Sequence, residues 1–169
     1  MKRIMIIGCG GAGKSTLSRK LNTILGFELI HLDQHFWKPD WQETAKGEWE
    51  QIVQKLIEKD QWIIDGNFGS TMETRIKRAD TIIFMDYSTL SCLWRITKRA
   101  IKYYNKNRPD MQEGCNERID LQFYRYVANY NRTRRKKILE RISPFRNEKT
   151  VYTFRNDKEV NLFLNSLSR

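Results

Sequence analysis

Two side chains near the amino terminus have the types and spacing that phosphate chemistry requires. Lys14 and Ser15 directly follow Gly13, and Gly8 lies five residues before that glycine, in the run GCGGAGKST from Gly8 to Thr16. This fits G-x-x-x-x-G-K-[ST], the phosphate-binding P-loop. Glycines open backbone conformations closed to other residues and let the main chain approach a ligand. Successive N–H groups can then converge on phosphate oxygens, and a helix beginning at about Lys14 adds its unpaired N–H groups and positive end. Gly8, Gly10, Gly11, Ala12 and Gly13 form the cradle on this reading. Lys14 reaches the β- and γ-phosphates, Ser15 ligates Mg²⁺ and Thr16 touches the α-phosphate. ATP with Mg²⁺ is the expected occupant.

Further candidates stand at the ends of apolar runs. Asp33 closes FELIHL and opens QHFWKPDW. A carboxylate there could take a proton from an acceptor hydroxyl, or simply cap the next turn. Trp37 and Trp41 follow, either walling an acceptor pocket or capping the core. His31 and His35 are four apart but off any helix, which fits local hydrogen bonding better than metal binding. The run WIIDGN ends in Asp65, the pattern of a magnesium-water ligand in P-loop proteins. Asp86, which closes TIIFMD, is its rival, and strand order is expected to separate them. Gly66 would bring backbone near a substrate, and Asn67 could donate to it. Arg75 could meet an acceptor's anionic group, or be a solvated helix arginine.

These residues need a scaffold that gathers strand ends. Short apolar runs at 3–7, 27–32, 62–65, 81–86 and 150–154 alternate with helical patterns at 14–25, 47–59, 71–77, 90–104, 118–141 and 158–167. Strands apolar on both faces, alternating with helices, imply a parallel sheet covered on both sides, and ligands bind at the carboxyl ends of such strands. With 169 residues, three prolines and no composition shift, residues 1–169 read as one domain. The apolar start is too short for a signal peptide and no run would span a membrane, so a cytoplasmic protein is expected. Cys9, Cys92 and Cys115 suggest neither a disulfide framework nor a zinc cluster.

The net charge of +11 favours acidic partners without choosing among them. On the helix from about 90, Leu90, Leu93, Trp94, Ile101 and Tyr104 share one face, with Arg95, Arg99 and Lys102 opposite. On the helix from 118, Phe123, Tyr126, Val127 and Tyr130 share a face, and Arg118, Arg125, Arg132 and Lys136 form a stripe. The polar loop 108–117 joins the two. They read as a lid whose arginines fold over a transferring phosphoryl, as solvated basic faces, or, through RTRRKK at 132–137, as a surface for nucleic acid.

The blocks GCGGAGKST, HLDQHFWKPDW, WIIDGNF, ADTIIFMD, CLWRITKR and RPDMQEGCNERIDLQFYRYV, in that order, resemble the bacterial DNA topology modulation proteins, adenylate-kinase-related P-loop proteins. The resemblance covers about residues 4–165. It implies a three-layer α/β P-loop NTPase fold of nucleotide-kinase type, with a five-stranded parallel sheet in the order 2-3-1-4-5 and a helical lid at about 95–135. That order sets the third strand beside the P-loop strand and supports Asp65. Adenylate kinases continue the third strand as D-G-F-P-R. Here Asp65, Gly66, Asn67, Phe68 and Gly69 lack the Pro-Arg, so the arginine that clamps a monophosphate is missing at that position. Arg95 and Arg99 resemble the lid arginines, R-x-x-x-R. The family name implies an influence on DNA supercoiling, yet the sequence holds no topoisomerase tyrosine motif or nuclease site.

Three functions therefore compete. One is a phosphotransferase moving the γ-phosphoryl of Mg-ATP to a small-molecule or nucleotide acceptor held by Asp33, Trp37, Trp41 and Asn67, with Lys14, Arg95 and Arg99 catalytic. Another is an ATP-binding regulator associated with DNA topology. The third is a nucleotide-binding interaction protein with slow hydrolysis.

Overall fold

The computed structural model describes residues 1–167. The apolar run at the amino terminus forms β1 (Arg3–Gly8), whose Ile4, Met5, Ile6 and Ile7 are wholly buried. After the glycine loop comes α1 (Lys14–Leu25), closed by Gly26 in the left-handed conformation with its N–H on Asn22 O at 2.8 Å. The second apolar run is split. Only Leu29–His31 extends as β2, and Leu32–Phe36 coils into the single turn α2. A hairpin of β3 (Trp37–Lys38) and β4 (Gln42–Glu43) follows, then α3 (Lys46–Ile57) and β5 (Trp62–Asp65). The chain continues through α4 (Met72–Arg78) and β6 (Thr81–Met85) to α5 (Thr89–Lys102). Past a long loop lie α6 (Leu121–Thr133), α7 (Arg135–Ile142), β7 (Thr150–Phe154) and α8 (Asp157–Leu167).

Among the described residues, five parallel strands form one sheet in the order β2-β5-β1-β6-β7, the 2-3-1-4-5 order expected, with helices completing a three-layer α/β fold. β1 lies between β5 and β6, pairing Ile6 with Asp65 on one side and Gly8 with Met85 on the other. Strand order therefore does not separate Asp65 from Asp86, because both of their strands flank the P-loop strand. Their partners differ, and neither carboxylate lines the cavity over the P-loop. Arg135 donates to both oxygens of Asp86, from Nε at 2.7 Å and Nη2 at 2.8 Å. Asp65 accepts from the Ser18 hydroxyl at 2.5 Å and shares a 2.8 Å hydrogen bond with His31 Nδ1.

Two helical expectations need correction. The pattern at 118–141 is two helices, broken at Arg134, where the next residue turns to reach Asp86. On α5 most of the large apolar side chains do not face the core, although Leu93 packs partly against it. Leu90 is 80% exposed, Trp94 61% and Ile101 74%, whereas Cys92, Ile96 and Ala100 are buried. The smaller residues win because this face of α5 lies against the glycine loop. A Cβ built on Gly11 would sit 2.5 Å from the Cys92 carbonyl oxygen. That rotation also turns Arg95 and Arg99 toward the loop.

Among the described residues, no helix is long and apolar enough to cross a membrane.

Gly11 has φ +81° as well as no room for a side chain. Gly11→Ala is expected to lower stability by at least ~2 kcal/mol, a fall in Tm of about 4–8 °C for a chain of this size. An unchanged melting curve would show that the loop does not need this conformation.

Candidate active site

The P-loop bends where the strand leaves the sheet. Gly8 and Gly13 have φ of +151° and +94°, and a side chain on Gly8 would strike Met85. The Ala12 N–H turns back onto Cys9 O at 3.1 Å, and Thr16 N–H onto Gly13 O at 3.1 Å. The first N–H groups of α1, from Lys14 and Ser15, have no carbonyl before them in the helix and face the space above the loop. Lys14 Nζ curls over that space, donating to Gly8 O and Cys9 O at 3.0 Å each.

The loop is held from below by residues that the sequence placed with the substrate. The Asn67 side chain closes on Gly8 from both sides: its Oδ1 accepts the Gly8 N–H at 3.0 Å, and its Nδ2 donates to Gly8 O at 2.8 Å. Asn67 still lines the cavity, but its amide is committed to positioning the P-loop. Gly66 has φ +134°, and a side chain there would meet Leu32 at 2.8 Å, so close packing requires this glycine. Arg75 is wholly buried and does not reach the cavity, contrary to the expected acceptor contact. It donates to three successive carbonyls, Gly66 O at 2.9 Å, Asn67 O at 2.7 Å and Phe68 O at 2.8 Å. Burial lowers its pKa to about 9, which leaves it charged at neutral pH.

One continuous cavity of about 1050 Å³ joins the P-loop to Asp33, Trp37 and Trp41 on one side and to Arg95, Asp157 and Asn161 on the other. Asp33 is half-buried on α2, and among the described residues no donor meets its carboxylate. Burial pushes its pKa above the ordinary 3.8, opposed by the charge of Lys14. Trp37 and Trp41 stand with ring centroids 5.5 Å apart and planes at 67°. Trp37 also meets Phe36 edge-on at 5.0 Å, and the Trp41 indole N–H donates to Asn116 O at 3.1 Å.

Arg95 lies at the P-loop. Its Nη1 is 3.5 Å from Ala12 O, its Nη2 donates to Asp157 at 2.8 Å, and its guanidinium covers the Tyr87 ring at 4.7 Å. Arg99 instead donates from Nε to Glu117 at 3.2 Å. Burial lowers its pKa, and the nearby Arg108 adds to the effect. The sequence reading missed Arg108, Asp110 and Glu117, which lie in the loop between α5 and α6. Arg108 is buried, with Nε 2.6 Å from Glu117 Oε2 and Nη1 3.4 Å from Asp110 Oδ2. Burial alone would raise the Asp110 carboxyl, but the charge of Arg108 outweighs it and holds the pKa below its ordinary value. The one available signal was a polar loop rich in both charges between two basic helices.

That loop is folded down on α2 and the β3–β4 hairpin. Gln34 Nε2 donates to Pro109 O at 2.8 Å, and Asp40 N–H to Gly114 O at 3.3 Å. The loop thus roofs the side of the cavity that holds the two indoles.

The donors near Ser15 are oxygens, the set a magnesium ion takes. Among the described residues no three carboxylate, imidazole or thiol groups converge to hold a metal unaided. A cation here would share Ser15 with the phosphates themselves, as Mg²⁺ does at nucleotide sites.

A parallel sheet in the order β2-β5-β1-β6-β7 with a P-loop at its centre is a three-layer P-loop fold, and comparison with solved structures finds the same fold. Shikimate kinase from Bacteroides thetaiotaomicron superposes with a TM-score of 0.55 at 16% identity, covering 98% of this chain and 96% of that one. Shikimate kinase from Acinetobacter baumannii, in complex with shikimate, gives 0.55 at 17% identity, covering 98% and 94%. In sequence, shikimate kinase of Francisella tularensis subsp. novicida is 28% identical over 173 residues, 89% of this chain and 97% of that protein. No protein-family model matches the chain. None of these relatives bears on DNA topology.

Replacing Arg75 by Met would leave three carbonyls without their donor. Arg75→Met is expected to cost ~3 kcal/mol, read as a lower urea midpoint. A variant as stable as the parent would show that the guanidinium is not the clamp.

Proposed function

We propose that this chain is a P-loop phosphotransferase that moves the γ-phosphoryl of Mg-ATP to a hydroxyl on a small acceptor. The observation that carries it is the single cavity joining the P-loop to Asp33, a carboxylate with no donor of its own, beneath a roof of loop and aromatic rings. A protein that only bound nucleotide would not need a carboxylate with no donor across from its P-loop. The likeness to shikimate kinases over nearly the whole chain supports the same reading.

The residues divide the work as phosphoryl transfer requires. The P-loop N–H groups and Lys14 hold the phosphates. Ser15, with Asp65 behind it, would hold Mg²⁺, which neutralises charge between the β- and γ-phosphates. The acceptor oxygen attacks the γ-phosphorus as the bond to the bridging oxygen breaks. ADP leaves with that electron pair, and Asp33 takes the hydroxyl proton. Arg95 stands ready beside Ala12, and Arg99 would reach the transferring group by leaving Glu117. Closing the site excludes water and lets these charges act at full strength.

The reading as a regulator associated with DNA topology is not favoured. Its basic run, 132–137, is partly committed to the fold through the Arg135–Asp86 pair, and the relatives point to a small acceptor.

The test is transfer of label from γ-labelled ATP with Mg²⁺. Lys14→Ala is expected to lose transfer by about 10³-fold with its melting temperature kept, and unchanged turnover would remove the P-loop from the chemistry. Asp33→Asn is expected to cut kcat at least ~10²-fold while the KM for ATP stays within about twofold. Because burial raises the Asp33 pKa, its ionised form is lost as pH falls through a value above 3.8. The acid limb of kcat should therefore lie higher than an ordinary carboxylate gives, and vanish in the Asn variant. For the same reason the ionised group destabilises the fold at neutral pH, so the variant should melt higher. Equal losses in kcat and ATP affinity would make Asp33 structural.

A further inference from the structure

The acceptor side of the cavity is rich in charge, but its inner cations are already matched. Arg108 faces Glu117 Oε2 at 2.6 Å and Asp110 Oδ2 at 3.4 Å. Arg99 donates to the same Glu117. The remaining cations on this side, Lys102 and Arg118, are exposed at the rim over the rings of Tyr103 and Trp41. Asp33 adds a further negative charge with no donor. An acceptor with a carboxylate or phosphate held at the depth of Asp33 would stand among carboxylates whose neighbouring cations are already paired, with Lys102 and Arg118 left at the rim, and like charges repel strongly where water is scarce.

The walls offer something else. Trp37 is fixed edge-on against Phe36 at 5.0 Å and meets Trp41 at 5.5 Å, and Trp41 is anchored by its N–H on Asn116. Rigid indoles present flat apolar faces without an ordering cost on binding. Such faces stack aromatic rings, each worth about 5- to 100-fold in affinity.

We propose that the phosphoryl acceptor is an uncharged nucleoside, its base stacked on the Trp41 face opposite Arg118, beside the Trp37 indole, and a sugar hydroxyl on Asp33. This rests on the phosphotransferase reading for the transfer step, but the pocket's preference is measurable without it.

Two experiments on the full chain separate the claims. In the first, label transfer is measured to a panel of nucleosides, their 5′-monophosphates, shikimate and a neutral sugar. One nucleoside is expected to exceed its own monophosphate, shikimate and the sugar by at least ~100-fold in kcat/KM. In the second, calorimetry measures binding of the same compounds in the presence of Mg-ADP, with the parent and with Trp41→Leu and Trp41→Phe. Trp41→Leu should weaken nucleoside binding about 10-fold and leave ADP binding unchanged, and Trp41→Phe should restore most of the loss. A nucleoside that binds in this way but never receives label keeps the proposed pocket and removes the phosphotransferase reading. Label moving preferentially to shikimate, a monophosphate or the sugar keeps that reading and overturns the nucleoside proposal. So does nucleoside binding that Trp41→Leu does not weaken, or no nucleoside binding at all.

Discussion

The side-chain amide of Asn67 grips Gly8 by both its N–H and its carbonyl, and the geometry of the site follows from that grip. It ties the turn after β5 to the first residue of the P-loop, across the β1–β5 pairing that sets Ile6 beside Asp65. Beneath it, buried Arg75 gathers the carbonyls of residues 66–68. A buried guanidinium without a carboxylate is costly unless its donors are used; here Nη1 and Nη2 hold the turn, while the buried Nε meets no acceptor among the described residues. The loop is therefore shaped before any ligand arrives. Lys14 rests on carbonyls of the loop itself, so anionic oxygens have only to displace them.

Above the loop the logic is reversed. The segment between α5 and α6 buries Met111 and Cys115, and a group of charged side chains ties it together. Glu117 bridges Arg99 and Arg108, and Asp110 balances Arg108. The same segment rests on α2 and the β3–β4 hairpin through hydrogen bonds to main-chain atoms, Gln34 to Pro109 O and Trp41 to Asn116 O. A roof held by ion pairs and a few hydrogen bonds opens at modest cost, unlike one sealed by a hydrophobic core. The pairs that hold it also place two arginines within reach of a phosphoryl group.

Charge pairing further shapes what the cavity accepts. A site lined by arginines would look like an anion trap from sequence alone, since the chain carries +11 overall. Inside the cavity, carboxylates from the same loop offset much of that charge. The fixed features left on the acceptor side are the two indoles and Asp33.

How much of this was legible follows from the range of each interaction. The P-loop, the five strands and the helices around them were readable because glycine spacing and apolar periodicity are local and act through the backbone. Asp33 and the two tryptophans were readable as candidates because they follow directly on a strand end, where the parallel sheet must present them. The face of α5 was not, because its periodicity allowed either side to be buried, and contact with Gly11 chose the side with Cys92, Ile96 and Ala100. Nor was the role of Arg75, since a buried arginine on carbonyls and a solvated one look identical in sequence. The Arg99–Glu117–Arg108 group was equally hidden, because its members take their meaning from partners 9 and 18 residues away across a loop. The sequence by itself determined the phosphate cradle and the order of strands and helices, through short-range backbone preferences. Only the tertiary structure decided which charges face the cavity and which are spent holding it, because pairing and burial depend on neighbours that the chain brings together only when it folds.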